Sequence, residues 1–159
     1  MEEAARVHRI SFDHRLPSLA GRHTPAEDTW FFQEHVFKRN HVHGATLAGR
    51  IVGIIAFTPE WINQLYVIPE AQGRGAGSKL LALAKADAAR LWLWTFQCNV
   101  AARLFYERHG FVAVKMTDGA DNEEREPDVL YAWSRQIACI PRQIAVVPMP
   151  SGSLKRQRS

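Results

Sequence analysis

The sequence predicts one α/β domain, in which a mixed and mostly antiparallel sheet carries helices on its faces. Three observations lead to this prediction. Two helix-like segments open the chain, strand-like segments follow them, and the second half alternates strands with helices around a glycine-rich loop. Such an order is typical of helices that cover a sheet. The length of 159 residues, without an internal repeat, predicts a single domain with its own core.

The first half of the chain predicts two helices and three strands. Residues 4–12 carry apolar side chains at helical spacing, and Thr24 with Glu27 three residues later is typical of a capped helix start. Strand-like segments follow at residues 42–47, 51–57 and 61–67. The first two are joined at Ala48 and Gly49, which predicts a hairpin.

The second half predicts two helices and three further strands. Apolar residues at helical spacing indicate a helix that ends near residue 89. Residues 91–96 are apolar on both faces, which is typical of a central parallel strand. Asn99 predicts the start of a helix that ends at Gly110. Residues 111–116 and 129–133 are strand-like and enclose an acidic loop.

The loop at residues 72–78, Gln-Gly-Arg-Gly-Ala-Gly-Ser, lies between a strand and a helix, as phosphate-binding loops do. The first N–H groups of such a helix point outward, and glycine lets the backbone approach a ligand closely. The order Ser78-Lys79 is the reverse of what a P-loop requires, and Ser78 stands where the dinucleotide motif needs glycine. The remaining pattern is Gln-x-x-Gly-x-Gly, at Gln72, Gly75 and Gly77.

This pattern resembles motif A of the GCN5-related N-acetyltransferases, the GNAT superfamily. A second segment is similar to the family's N-x-x-A-x-x-x-Y-x-x-x-G-F sequence, with Asn99, Ala102, Tyr106, Gly110 and Phe111 at the matching positions. The resemblance covers residues 42–135. It implies a GNAT-like fold with a central parallel strand pair, and acetyl-CoA as cosubstrate without a metal. Because the chain begins inside the first helix, the family's first strand is expected to be missing.

The resemblance implies that strands 61–67 and 91–96 separate, so that the pantetheine arm enters the gap. The pyrophosphate would be held largely by main-chain N–H groups of Gln72, Gly73, Arg74, Gly75, Ala76, Gly77 and Ser78. The implied coenzyme-binding set is completed by Val67, Asn99, Ala102 and Tyr106. A structural turn is the alternative for the loop, and a helix cap explains Asn99 equally well.

Catalytic roles are implied for Val67 and Tyr106. The Val67 N–H would polarise the thioester carbonyl, and Tyr106 would return a proton to the departing thiolate. The alternative for Tyr106 is packing, although Phe105 is the expected core residue. A general base must also take the proton of the amine. Glu60 is one candidate, and the loop at residues 118–128 offers six more acids, which a solvated hairpin loop explains as well.

Two further groups of residues are expected to have no catalytic role. His41 and His43 lie on one face of a strand, but no third ligand is evident, so no metal site is predicted. Cys98 has no paired base in the sequence and is expected to pack.

Charge and hydropathy exclude several other classes of protein. The net charge of +4 arises from four basic residues within residues 136–159, because the rest of the chain has 16 basic and 16 acidic residues. A nucleic-acid surface is therefore not expected. The longest apolar run, residues 51–57, is too short to cross a membrane. The acidic N-terminus and two distant cysteines predict a cytoplasmic protein.

The sequence thus predicts an N-acetyltransferase domain at residues 1–135 that acts on a primary amine of a small molecule or peptide. The alternative is a non-catalytic coenzyme-A-binding module, a regulatory or degenerate relative. A tail at residues 136–159 contains a β-branched run at 143–147 between Pro141 and Pro148. Either this run adds a strand to a sheet edge, in its own subunit or in a homodimer, or the tail is disordered.

Overall fold

A computed structural model of the protein describes residues 2–17, 20–21 and 23–135. The described helices are α1 (Glu2–Arg15), α2 (Pro25–Phe31), α3 (Phe37–Arg39), α4 (Ala76–Asp87) and α5 (Val100–Arg108). A π-helical segment, Phe32–Val36, connects α2 to α3, and a short 3-10 turn, Pro69–Ala71, precedes the glycine-rich loop. None of these helices is long and apolar enough to cross a membrane. The predicted tail lies outside the described residues.

The start of α2 and the first hairpin form as their local sequences predict. The Thr24 side chain accepts a hydrogen bond from the Glu27 N–H, and the Glu27 side chain accepts one from the Thr24 N–H, which completes a capping box. Strands β1 (His41–Leu47) and β2 (Arg50–Phe57) are antiparallel. Ala48 and Gly49 both have positive φ, at 49° and 78°, as a two-residue hairpin turn requires.

The strands form two three-stranded groups. The first has the order β1-β2-β3, with β3 at Ile62–Val67. The second has the order β4-β6-β5, formed by β4 (Arg90–Phe96), β5 (Val112–Thr117) and β6 (Asp128–Ser134). All the ladders are antiparallel. Strand β6, the last in the sequence, therefore lies between β4 and β5 and pairs with both.

The two groups meet at one point and then separate. Trp61, just before β3, makes an isolated parallel bridge with Trp92 of β4, and the Trp92 N–H donates to the Glu60 carbonyl at 2.8 Å. In the described residues no ladder between β3 and β4 continues beyond this bridge. A gap between the two strands therefore opens toward the C-terminal end of β3.

The helices pack on opposite faces of the first group of strands. Tyr66 of β3 lies in a buried cluster with α1, whereas Ile55 of β2 lies in a second cluster with α4, α5 and the strands β4 and β6. Lys85 links α4 to the residue after α5 and to β6. Its Nζ donates to the His109 carbonyl at 2.5 Å and lies 4.6 Å from the Trp133 ring centroid. The gap between β3 and β4 is thus enclosed by α1, α4 and α5.

Gly53 of β2 allows α4 and β3 to approach each other closely, and its substitution tests this packing. A Cβ at Gly53 would lie 3.1 Å from the Tyr66 carbonyl oxygen and 3.2 Å from Leu80, whereas one at Gly44 would meet only ordinary contacts at 3.7 Å or more. Gly53→Ala should therefore lower the free energy of unfolding by about 1–2 kcal/mol relative to Gly44→Ala. Urea unfolding of both variants measures this difference, and equal stabilities would contradict the packing.

Candidate active site

A cleft of about 550 Å³ occupies the gap between the two groups of strands. Its walls come from α1, the end of β3, the glycine-rich loop, the start of α4, and α5. The lining residues include Val67, Gln72, Gly73, Gly75, Gly77, Ser78, Asn99, Ala102 and Tyr106. Nine residues of the predicted coenzyme-binding set therefore lie around one cleft.

The free edge of β3 faces this cleft with its backbone groups. Val67 is opposite Gly53 in the register of β2 and β3, and the next residue, Ile68, donates its N–H to Val52 at 2.9 Å. This spacing makes the Gly53–Val67 pair a non-hydrogen-bonded one, so the N–H and C=O of Val67 point away from β2. The Gln72 side-chain amide donates to the Val67 carbonyl at 2.9 Å. The Val67 N–H is thus directed to the side where an extended ligand could pair with β3.

The glycine-rich loop turns sharply into the first turn of α4. Gly73 and Gly75 have φ values of 71° and 83°, which favour glycine. Gly75 is the N-cap of α4 and makes no side-chain cap, so the first N–H groups of the helix remain for a ligand. At Gly77 glycine is favoured by space and not by φ, because a Cβ there would lie 3.3 Å from the Phe105 ring of α5. The loop therefore combines a helix start with unpaired N–H groups and close packing of α4 on α5.

Ser78 is held by a histidine from the neighbouring helix. The His109 Nδ1 lies 2.8 Å from the Phe105 carbonyl, which can only accept, so Nδ1 carries the proton. Nε2, which lies 3.0 Å from Ser78 Oγ, must then accept a hydrogen bond from the hydroxyl. This contact fixes the Ser78 hydroxyl beside the start of α4.

Asn99 caps α5 and also contacts α1. Its Oδ1 accepts from the Ala102 N–H at 3.0 Å, which confirms the predicted cap. The same oxygen accepts a hydrogen bond from Nη1 of Arg15, 84 residues earlier. Arg15 therefore links the end of α1 to the start of α5 beside the cleft.

Tyr106 lies deeper in the protein than its neighbour Phe105. It is only 2% exposed and belongs to the second core cluster, whereas Phe105 is partly buried at the edge of that cluster. The expectation that Phe105 is the core residue was therefore wrong, because the direction of α5 turns Tyr106 inward toward Phe111 and Tyr131. Both Phe105 and Tyr106 nevertheless line the cleft.

Nine lining residues of the cleft were not predicted from the sequence, among them Ser11, Arg15, Tyr66 and His109. Ser11 is 4% exposed and belongs to the buried stripe of α1, where a polar residue is unusual. A serine at a position of the apolar stripe is the one signal in the sequence that could have pointed to this residue.

Burial raises the pKa of the Tyr66 phenol, so this group stays protonated. Its ring packs edge-on against His8, whose pKa burial lowers to about 4.

Several predicted site residues do not line the cleft. Arg74 and Ala76 are not among its lining residues. Glu60 is exposed beside the Trp61–Trp92 bridge, seven residues before Val67, or on the order of 20 Å along an extended strand. Cys98 is exposed rather than packed, because it lies in the turn between β4 and α5. Glu60 stays a prediction without support from this geometry.

The acidic loop between β5 and β6 is held by its own hydrogen bonds. Asp128 is fully buried and accepts from the Thr117 hydroxyl and from the Asn122 amide, the latter at 3.3 Å. Asn122 also donates to the Glu126 carbonyl at 2.7 Å. No acid of this loop lines the cleft, and no group of three metal-ligating side chains occurs in the described residues.

The structure thus combines a split sheet, a glycine-rich helix start and a cleft between them. The family model of the acetyltransferase (GNAT) domain matches residues 38–113. The structure is similar to a GCN5-related N-acetyltransferase from Rhodopseudomonas palustris, with a TM-score of 0.68 and 24% identity over 83% of this chain and 88% of that chain. YjaB from Escherichia coli in its apo form gives a TM-score of 0.67 and 20% identity over 82% of this chain and 88% of that one.

A proposed streptothricin acetyltransferase from Bacillus anthracis, solved with acetyl coenzyme A, is 25% identical. The aligned region covers 66% of this chain and 68% of that chain, with a TM-score of 0.56. No curated protein sequence matches this chain. The family model identifies residues 38–113 as an acetyltransferase (GNAT) domain, and the described structure shares the fold of these proteins.

The glycine-rich loop can be tested with a matched pair of variants. Gly75 and Gly49 both have φ near 80°, and a Cβ at either would meet nothing within 4 Å. Alanine should therefore strain both sites equally, by about 1–2 kcal/mol. Only Gly75→Ala should also weaken coenzyme A binding, by about tenfold or more, because it displaces the N–H groups that meet the pyrophosphate. Isothermal titration calorimetry measures both affinities. Equal affinity in the two variants would contradict the loop's role.

Proposed function

We propose that the protein transfers the acetyl group of acetyl-CoA directly to a primary amine. The observation that carries this proposal is the separation of β3 from β4, which turns the Val67 N–H toward a cleft that Tyr106 also lines. A backbone donor and a phenol on one cleft supply the two groups that thioester aminolysis needs. The first stabilises the developing oxyanion, and the second protonates the leaving group.

The coenzyme would bind along the whole cleft. The N–H groups at the start of α4, including that of Ser78, would contact its pyrophosphate, since they face the glycine-rich loop. The pantetheine arm would then extend beside β3, where the Val67 backbone groups are directed away from β2. Its amides could pair there as a further strand would.

The reaction proceeds in this proposal by direct attack. The amine nitrogen bonds to the thioester carbonyl carbon, and the carbonyl oxygen acquires negative charge beside the Val67 N–H. Collapse of this intermediate breaks the C–S bond, and Tyr106 gives its proton to the sulfur. Solvent returns a proton to Tyr106, and the new amide loses its extra proton to water. The proposed route has no acetylated cysteine, and Cys98 does not line the cleft.

In this proposal, the amine loses its proton without help from a carboxylate of the cleft. No Asp or Glu occurs among the described lining residues of the cleft, and Glu60 lies at the far end of β3. We therefore propose that the neutral fraction of the amine attacks, or that a water molecule accepts its proton.

Tyr106→Phe tests both the chemistry and the activity. This variant should lower kcat for acetyl transfer by about two to four orders of magnitude, because the leaving thiolate loses its proton donor. The affinity for acetyl-CoA should change little. Turnover is measured across a panel of primary amines, with the N-acetyl product identified by mass.

Tyr131→Phe is the matched control. The Tyr131 hydroxyl donates to Glu107 at 2.6 Å, and Tyr131 is buried but does not line the cleft. Its loss should leave kcat close to that of the wild type. Full turnover in Tyr106→Phe would show that another group protonates the thiolate. Coenzyme binding by the wild type without transfer to any amine would refute the proposed function.

A further inference from the structure

One corner of the cleft is polar but has no acid. Ser11 and Arg15 lie four residues apart on α1, so they share one helix face, and both line the cleft. The other ionisable lining residues are Arg108, His109 and the phenols of Tyr66 and Tyr106. This corner lies on the α1 side of the gap, whereas the glycine-rich loop belongs to the α4 side.

Arg15 is a partly buried cation whose described partner is a neutral amide. Nη1 donates to Asn99 Oδ1, and no carboxylate in the described part of the chain lies within salt-bridge distance of Arg15. Burial lowers its pKa, yet arginine keeps its charge in proteins. A guanidinium has five donors in a planar fork, and the contact with Asn99 uses one of them. Such a group is well suited to an anion that enters the cleft.

Ser11 supplies an independent observation at the same place. Ser11 is only 4% exposed, and its Oγ has no hydrogen-bond partner among the described residues. An unpaired buried hydroxyl destabilises a fold, so native proteins normally pair it. A ligand oxygen in the Arg15 corner would provide that partner.

We propose that the acceptor is a small amine that carries a carboxylate, as a free amino acid does, and that Arg15 and Ser11 bind this carboxylate. A planar carboxylate matches the fork of a guanidinium and has oxygens left to accept from a hydroxyl. A protein N-terminus or a lysine side chain within a chain lacks such a neighbouring carboxylate. This inference rests on the proposed amine acetylation and selects one class among its acceptors.

The test compares each amino acid with its own carboxamide as acceptor. The ratio of their kcat/KM values is measured for the wild type and for Arg15→Gln. The preference for the acid should fall by about 10- to 100-fold in Arg15→Gln, because a charge-assisted contact is lost. Differences in amine basicity cancel, since the same two acceptors are used throughout. Arg15→Lys should restore part of the preference because it retains the charge.

Two further variants separate binding from structure. Arg39→Gln removes an exposed arginine at the end of α3 and should keep the wild-type ratio. Ser11→Ala should lower the preference several-fold while the melting temperature stays equal or rises, because it removes an unpaired hydroxyl. A Ser11→Ala variant that melts earlier and keeps the full preference would assign Ser11 a structural role and overturn its part in the proposal.

The preference ratio decides the proposal. An unchanged ratio in Arg15→Gln, or an equal loss with both acceptors, would overturn it, since Arg15 would then serve folding or chemistry. If no amine is acetylated, the proposed function fails and the corner is tested by binding alone. An N-acetyl amino acid should then stabilise the coenzyme-bound wild type against heat more than its carboxamide does. Absence of that difference, or its persistence in Arg15→Gln, would overturn the proposal.

Discussion

The separation of β3 from β4 is the constraint on which the site depends. A continuous sheet would pair the backbone of Val67 with β4 and leave no space for a ligand. Here a single bridge at Trp61 and Trp92 joins the strands, and each half is stabilised by its own antiparallel ladders. The final strand β6 inserts beside β4 and completes the second half. Because the ladders stabilise both halves, β3 can present a free edge without loss of the fold.

The helices around the gap each supply a different kind of group. The start of α4 offers backbone donors for phosphate, whereas α5 presents Tyr106 and the capped Asn99. Helix α1 approaches from the opposite face and brings Arg15 against Asn99. The cleft therefore has one side with backbone donors, where the coenzyme is proposed to bind, and another side with a cation and no acid among the described lining residues. In the proposed reaction, this asymmetry would separate the binding sites of the two substrates.

Local features could be predicted from the sequence, and contacts between distant segments could not. The capping box at Thr24, the Ala48-Gly49 turn and the cap at Asn99 depend on neighbouring residues, and all three form as expected. The family resemblance located the nine lining residues of the predicted set. Arg15 contacts Asn99, which lies 84 residues later in the chain. The packing of α5 decides that Tyr106, and not Phe105, is buried. No local pattern encodes either outcome.

Amide hydrogen exchange at Val67 tests the central claim most directly. If the coenzyme pairs with the free edge of β3, saturating acetyl-CoA should slow exchange of the Val67 N–H by about tenfold or more. The N–H groups of Ile68 and Trp92 serve as internal references, because they already donate to Val52 and Glu60 at 2.9 and 2.8 Å. Their exchange should change much less. Unchanged exchange at Val67 in the coenzyme-bound protein would contradict the account.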